Sequence, residues 1–182
     1  MRTTDFDFHL PDELIAQVPA KVRSASRLLT LDGNTGKLED HMFTELPTFL
    51  TPGDLLVFND TRVIKARLHG QKASGGSVEV LVERILDDHT ALAHIRASRS
   101  PKAGSTLVLA QGQVEAEVIE RQDDLFLLRF SADDSVLALL EQHGQLPLPP
   151  YITHAADEMD EERSQTVYAR EDGSVAAPTA GL

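Results

Sequence analysis

The sequence contains no cysteine and no tryptophan, and it has only 2 tyrosines in 182 residues. Without cysteine there can be no disulfide, no thiolate nucleophile and no cysteine-held iron–sulfur cluster. Any chemistry must therefore rest on oxygen and nitrogen groups and on a bound substrate. No stretch approaches the roughly 20 apolar residues that a membrane helix needs. Met1-Arg2-Thr3-Thr4-Asp5 is not followed by an apolar segment of the kind a secretory signal uses. A cytoplasmic location without membrane contact is expected. The 7 histidines show no spacing with carboxylates that would build a metal site, so no metal is expected.

Positive charge is also scarce. The chain has 17 Lys and Arg against 29 Asp and Glu, a formal net charge of −12. Proteins that coat nucleic acid neutralise phosphates with Lys and Arg, so the overall balance argues against that class. The distribution is uneven, however. Residues 1–60 sum to −5, residues 61–102 to +4 and residues 103–182 to −11. The middle segment holds Arg62, Lys65, Arg67, Lys72, Arg84, Arg96, Arg99 and Lys102, and it is the one candidate phosphate-facing surface. An excess of this size is equally compatible with an ordinary solvated face.

With 41% hydrophobic residues, the chain has material for a core and should be globular. Phe6–Leu10 reads as a short strand and Pro11–Ala16 as a brief helix with acids in its first turn. Arg27–Asp32 and Lys37–Phe43 flank Gly33-Asn34-Thr35-Gly36 as a hairpin, with a short helix from Thr44 to Leu50. Leu55-Leu56-Val57-Phe58 is a run of four apolar residues, the pattern of a strand buried on both faces. From Val63 to Phe130 short β-rich runs alternate with turn residues, which predicts a small antiparallel barrel. Asp133–His143 reads as a helix capped by Gly144, and the acidic run Asp157–Arg163 as a solvent-facing helix or loop. The expected fold is an α/β domain (residues 1–66 and 133–182) interrupted by an inserted antiparallel β-barrel (residues 67–132).

Three nearly charge-free blocks stand out: Phe58-Asn59-Asp60-Thr61-Arg62-Val63-Ile64, His143-Gly144-Gln145-Leu146-Pro147-Leu148-Pro149-Pro150-Tyr151-Ile152, and Gly173-Ser174-Val175-Ala176-Ala177-Pro178-Thr179-Ala180-Gly181-Leu182. Rigid loops of this kind aim backbone and side chains at a ligand, and three of them imply a shared site. With Asp5-Phe6-Asp7-Phe8-His9-Leu10-Pro11 and Arg23-Ser24-Ala25-Ser26-Arg27-Leu28-Leu29, they make the chain resemble, from end to end, the S-adenosylmethionine:tRNA ribosyltransferase-isomerases of queuosine biosynthesis. It departs from that family at Lys65, where proline is usual, and at Ser164, where an aromatic residue is common. Family members continue beyond the Pro-Thr-Ala-Gly-Leu segment, so the chain is expected to be an amino-terminal portion whose α/β domain is incomplete at its carboxyl end.

The resemblance implies an enzyme that uses S-adenosylmethionine as co-substrate and ribosyl donor. Its other partner would be a tRNA carrying 7-aminomethyl-7-deazaguanine at the wobble position, and its products epoxyqueuosine, adenine and methionine. It also implies a monomer when full length. Such a site needs a general base, a group that assists departing adenine, and shielding from water. Candidate catalytic residues are Asp60, His143 and Tyr168. Candidate substrate-binding residues are Asn59, Thr61, Arg62, Arg67, Tyr151, Ser174, Pro178, Thr179 and Gly181, and candidate tRNA contacts are Lys65, Lys72, Arg96, Arg99 and Lys102.

Each carries a plainer alternative. Asp60 is a base, an acceptor for ribose hydroxyls, or a turn cap bonded to Thr61 or Arg62. His143 is an acid or base, or a helix-terminal cap. The arginines contact phosphate or the methionine carboxylate, or form structural ion pairs. The tyrosines stack on a base, donate a hydrogen bond, or pack. Two other functions compete: a noncatalytic tRNA-binding or assembly module, and an S-adenosylmethionine methyltransferase. The latter lacks its Gly-x-Gly-x-x-Gly loop here.

Overall fold

The computed structural model describes residues 1–131 and 133–182. Its chain divides into two compact units, Met1–Phe58 with Pro150–His154, and Asn59–Pro149 with Ala155–Leu182.

In the first unit, β1 (Arg27–Leu31) and β2 (Leu38–Met42) form the expected antiparallel hairpin. Asp32 closes its turn by accepting the amides of Asn34 and Thr35. A 3₁₀ segment, Phe43–Phe49, follows. There His41 packs edge-on against Phe49 at 4.8 Å and contacts Glu45 at 3.1 Å. Gln17 ties the unit's separate stretch to it, donating to the Tyr151 carbonyl at 2.9 Å and accepting the Thr153 amide at 2.9 Å. Two expectations fail here. Phe6–Leu10 is not a strand; the neighbouring order is a 3₁₀ turn, Thr3–Phe6. Leu55–Phe58 is not a buried strand either, since Leu55 is 85% and Val57 86% exposed. An apolar run becomes a buried strand only when neighbours cover both edges and faces, and no strand pairs with this one among the described residues.

The second unit begins with β3 (Thr61–Val63) and is dominated by a closed barrel. Its strands are β4 (Arg67–Lys72), β5 (Ser77–Ile85), β6 (Thr90–Ala97), β7 (Thr106–Leu109), β8 (Val114–Gln122) and β9 (Leu125–Phe130). The order round the barrel is β4-β5-β6-β9-β8-β7, every pair antiparallel. The cause is period-two alternation, which sends every second residue inward. Val78, Val80, Val82, Ala91, Ala93, Leu107, Leu109, Val118, Phe126 and Leu128 fill the interior almost without solvent contact. Register shifts between Val82 and Arg84 and between Val118 and Glu120 supply the bulges that help a short sheet curl closed.

Helix α1 (Val136–His143) starts where Ser135 Oγ accepts the Ala138 amide, and it buries Val136, Leu139 and Leu140 in the barrel's core cluster. Gly144 caps its carboxyl end, as the sequence predicts, in an extended conformation with φ −79°. Glycine is required there by proximity, because a Cβ would overlap the Lys65 carbonyl oxygen and lie 2.5 Å from that of Leu140. Helix α2 (Glu158–Arg163) has a reciprocal capping box between Asp157 and Asp160, and Asp160 is buried. Last comes β10 (Glu171–Ser174), which pairs in parallel with β3. No helix among the described residues is long and apolar enough to cross a membrane.

Candidate functional site

Two of the three charge-free blocks meet at the β3/β10 pair. Thr61 lies opposite Glu171, Arg62 opposite Asp172 and Val63 opposite Ser174, with an irregularity at Gly173. The entry to β3 is set locally: Asn59 Oδ1 accepts the Thr61 amide at 3.0 Å and the Thr61 hydroxyl at 2.5 Å. An Asx turn of this kind fixes the direction in which the next side chains leave.

Asp60 is held from the other strand. Its carbonyl accepts the amides of Arg170 at 2.7 Å and Glu171 at 3.2 Å, and its carboxylate takes the Arg170 guanidinium at 3.2 Å from Nε and 2.5 Å from Nη2. That side-chain hydrogen bond, with the guanidinium's charge behind it, holds the Asp60 carboxyl below the usual carboxylate range. It is therefore ionised at neutral pH, a strong acceptor and a weak proton abstractor. Beside it, Arg62 Nε stands 3.7 Å from Asp172 Oδ1. Two opposite-sense ion pairs thus join the same two segments, Asp60–Arg170 just ahead of the strands and Arg62–Asp172 on them.

Gln165 secures the far side. Its amide donates to the Val63 carbonyl at 2.9 Å and accepts the Val63 N–H at 2.8 Å, completing a backbone-like ladder with a side chain. The following residues turn back so that Tyr168 stands against Gly181, where a Cβ would lie 2.6 Å from the tyrosine oxygen and 3.0 Å from Thr166 Cγ2. Thr166 is 5% exposed, and its hydroxyl has no hydrogen-bond partner among the described residues. Ser174 Oγ donates to the Ala176 carbonyl at 2.6 Å, Val175 packs on the barrel core, and Thr179–Gly181 forms a 3₁₀ turn after Pro178. A cleft of 610 Å³ adjoins β10, lined by Ile64, Arg84, Asp88, Val136, Asp172 and Gly173 among others, a volume in the range of small-molecule sites.

The structure therefore gathers Asn59, Asp60, Thr61, Arg62 and Ser174 on one strand pair, and brings Tyr168 together with Gly181. Arg67 lies apart on β4, 3.4 Å from Glu79 and bridged by backbone to Gln145. His143 is the last residue of α1, half-buried. Tyr151 belongs to the other compact unit and is 49% exposed. Among the cationic candidates, Lys65 is paired with Glu161 at 2.9 Å, Lys72 Nζ donates to the Arg99 carbonyl at 3.1 Å, and Arg96, Arg99 and Lys102 are exposed. Arg170, Gln165 and Thr166 were not evident from sequence. Arg170 sits only two residues beyond Tyr168, the one signal that could have found it.

The chain is similar to known proteins over its whole length. The model of a family described as "Queuosine biosynthesis protein" matches residues 3–182. A protein of Nitrosospira multiformis named S-adenosylmethionine:tRNA ribosyltransferase-isomerase is 58% identical over 182 residues, all of this chain but 51% of that protein. The chain thus spans about half the length of this curated relative. A crystal structure of the S-adenosylmethionine tRNA ribosyltransferase from Thermotoga maritima is 30% identical, with 93% of this chain and 56% of that one covered at a TM-score of 0.39.

Proposed function

Because this chain belongs to the queuosine biosynthesis protein family, we propose that it is part of an enzyme that transfers and isomerises the ribosyl group of S-adenosylmethionine onto 7-aminomethyl-7-deazaguanine in tRNA. The products are epoxyqueuosine in the tRNA, adenine and methionine. The reading extends to a cytoplasmic enzyme, monomeric when full length, and to an α/β domain of residues 1–66 and 133–182 interrupted in sequence by the inserted barrel.

The observation that carries the reading is the parallel register of β3 and β10, which sets the Asn-Asp-Thr-Arg block beside the Gly-Ser-Val block with Asp60 ionised between Arg170 and the turn. A sulfonium acidifies the neighbouring ribose carbon, so a base that removes that proton starts loss of adenine. The neutral amine of the deazapurine then attacks the sugar, and epoxide closure expels methionine. Within that sequence Asp60 serves best as a fixed acceptor for ribose hydroxyls, since its lowered pKa suits it poorly to proton abstraction. Tyr168 carries the remaining hydroxyl of the set, and its oxygen is seated against Gly181, where any Cβ would collide with it. Asn59, Thr61, Arg62, Ser174, Pro178 and Thr179 complete the substrate-binding set around β3 and β10. Arg67, His143 and Tyr151 remain assigned to substrate and acid–base roles by the motifs that contain them.

The test is chromatographic. The chain, and the same chain extended to the relative's length, are incubated with S-adenosylmethionine and the modified tRNA, and adenine, methionine and the new nucleoside are followed. Equimolar adenine and methionine are expected, and Asp60→Asn in the active form should lower turnover at least tenfold. S-adenosylhomocysteine in their place would turn the reading into methyl transfer. Binding of tRNA without any product from either chain would make it a noncatalytic binding module.

A further inference from the structure

Resting on the tRNA reading above, we propose that one end of the barrel, formed by the β4–β5 turn and the β6–β7 loop, is the docking surface for the tRNA phosphodiester backbone. Three observations converge on it.

The first is sequence charge resolved by position. In a chain with 29 Asp and Glu, residues 89–114 contain none, and neither do residues 69–78. Antiparallel pairing brings the relevant parts of these two stretches to one end of the barrel, since Val78 lies opposite Ala97 and Lys72 opposite Leu107. Lys72 Nζ crosses to the Arg99 carbonyl at 3.1 Å, so the two segments touch directly.

The second is the state of the cations. Lys65, Arg67, Arg129 and Arg170 each lie against a carboxylate. Lys72, Arg96, Arg99 and Lys102 form no ion pair among the described residues. Arg96 faces outward on β6, opposite Glu79, and that carboxylate is taken up by Arg67 at 3.4 Å. A strongly acidic protein that keeps four cations clustered and unneutralised holds a surface ready for anions from outside.

The third is rigidity. Ser105 Oγ accepts the Lys102 amide at 3.1 Å and donates to its carbonyl at 2.5 Å, while Gly104 and Val118 join the loop to β8 by backbone bonds of 2.7 and 2.9 Å. The cations are thus carried on ordered backbone, which lowers the entropic cost of binding a phosphate chain. The β8–β9 hairpin reaches the same end carrying Glu120, Asp123 and Asp124, with Arg121 4.0 Å from Asp124. Its acids repel a polyanion, so the backbone is confined to the β4–β6 side. Lys65, ahead of β4 and paired with Glu161, is not part of this surface.

The test is tRNA binding by fluorescence anisotropy across a salt series, using the chain itself, the triple variant Arg96→Ala, Arg99→Ala, Lys102→Ala, and a control, Lys21→Ala, in the other compact unit. Removing one lysine or arginine from a phosphate flattens the plot of log K against log salt by about 0.7–0.9. The triple variant should flatten it by roughly 2 and bind about 10–100-fold more weakly at low salt, with an unchanged thermal midpoint, while Lys21→Ala follows the wild type. A triple variant that keeps the wild-type slope overturns the docking surface and leaves the enzyme reading intact. A wild-type chain that fails to bind tRNA under conditions where the chain extended to the relative's length binds it also overturns the docking surface, and failure of both chains to bind overturns the enzyme reading as well.

Discussion

Asp60 shows how one residue's chemistry is decided by its neighbour across the strand. Sequence placed it at a turn with Arg62 close by, and the structure gives its carboxylate to Arg170, 110 residues away, leaving Arg62 to Asp172. Its folded pKa is lowered, so the stabilisation is present in full above the unfolded value of about 3.9 and is lost as pH falls through the folded pKa. Thermal melting from pH 7 down to about 2 should therefore show Asp60→Asn less stable than the wild type at neutral pH, with the gap closing below about pH 4. The effect is modest because the pair is exposed to solvent and salt. Two melting curves that stay parallel throughout would mean that the Asp60–Arg170 pair contributes nothing to folding, and its place in the site would then rest on substrate alone.

Among the elements, the junction between β4 and α1 is the most tightly built. Gly144 sits where any side chain would strike the Lys65 carbonyl, and backbone cannot yield as a flexible side chain can. Gly144→Ala should cost roughly 2–4 kcal/mol in urea unfolding, whereas Gly33→Ala, with nothing within 4 Å of the added carbon, should stay within about 0.5 kcal/mol of wild type. Equal costs at the two positions would remove the close-approach account. The sequence announced a glycine at the end of this helix but not why it is there, because a turn signal and a tertiary contact use the same residue. The barrel strands were legible for the opposite reason: Val114, Ala116 and Val118 alternate with Glu115 and Glu117, and Val78, Val80 and Val82 do so with Glu79 and Glu83 apart from Leu81, and alternation is a local property. Leu55–Phe58 misled because uniform apolarity states that a segment favours burial and says nothing about whether a partner lies beside it. Gln165 was invisible, since an amide that mimics a strand edge depends wholly on a contact 102 residues distant.

Across the whole molecule, stability is distributed unequally between the two compact units. The barrel unit holds every buried residue of the core cluster, from Ile64 to Leu140. In the unit formed by Met1–Phe58 and Pro150–His154, no residue is buried, and Phe8, Leu14, Val18, Leu31, Leu55 and Val57 are all more than half exposed. Burial of apolar surface supplies the main favourable term in folding, about 25 cal/mol per Å², so the first unit has little to set against the entropy of ordering its backbone. Local opening should be frequent there and rare in the barrel. Limited proteolysis followed by mass spectrometry should cut first between residues 1 and 58, leaving a resistant fragment that contains β4–β9 and α1. Amide exchange should run in the same order, with protection greatest at Val80, Val82 and Leu128. First cuts inside the barrel loops, or comparable protection in β1 and β5, would show that exposed apolar surface in the first unit is compensated by something other than burial, and would reverse the assignment of the barrel as the rigid frame on which the β3/β10 site is held.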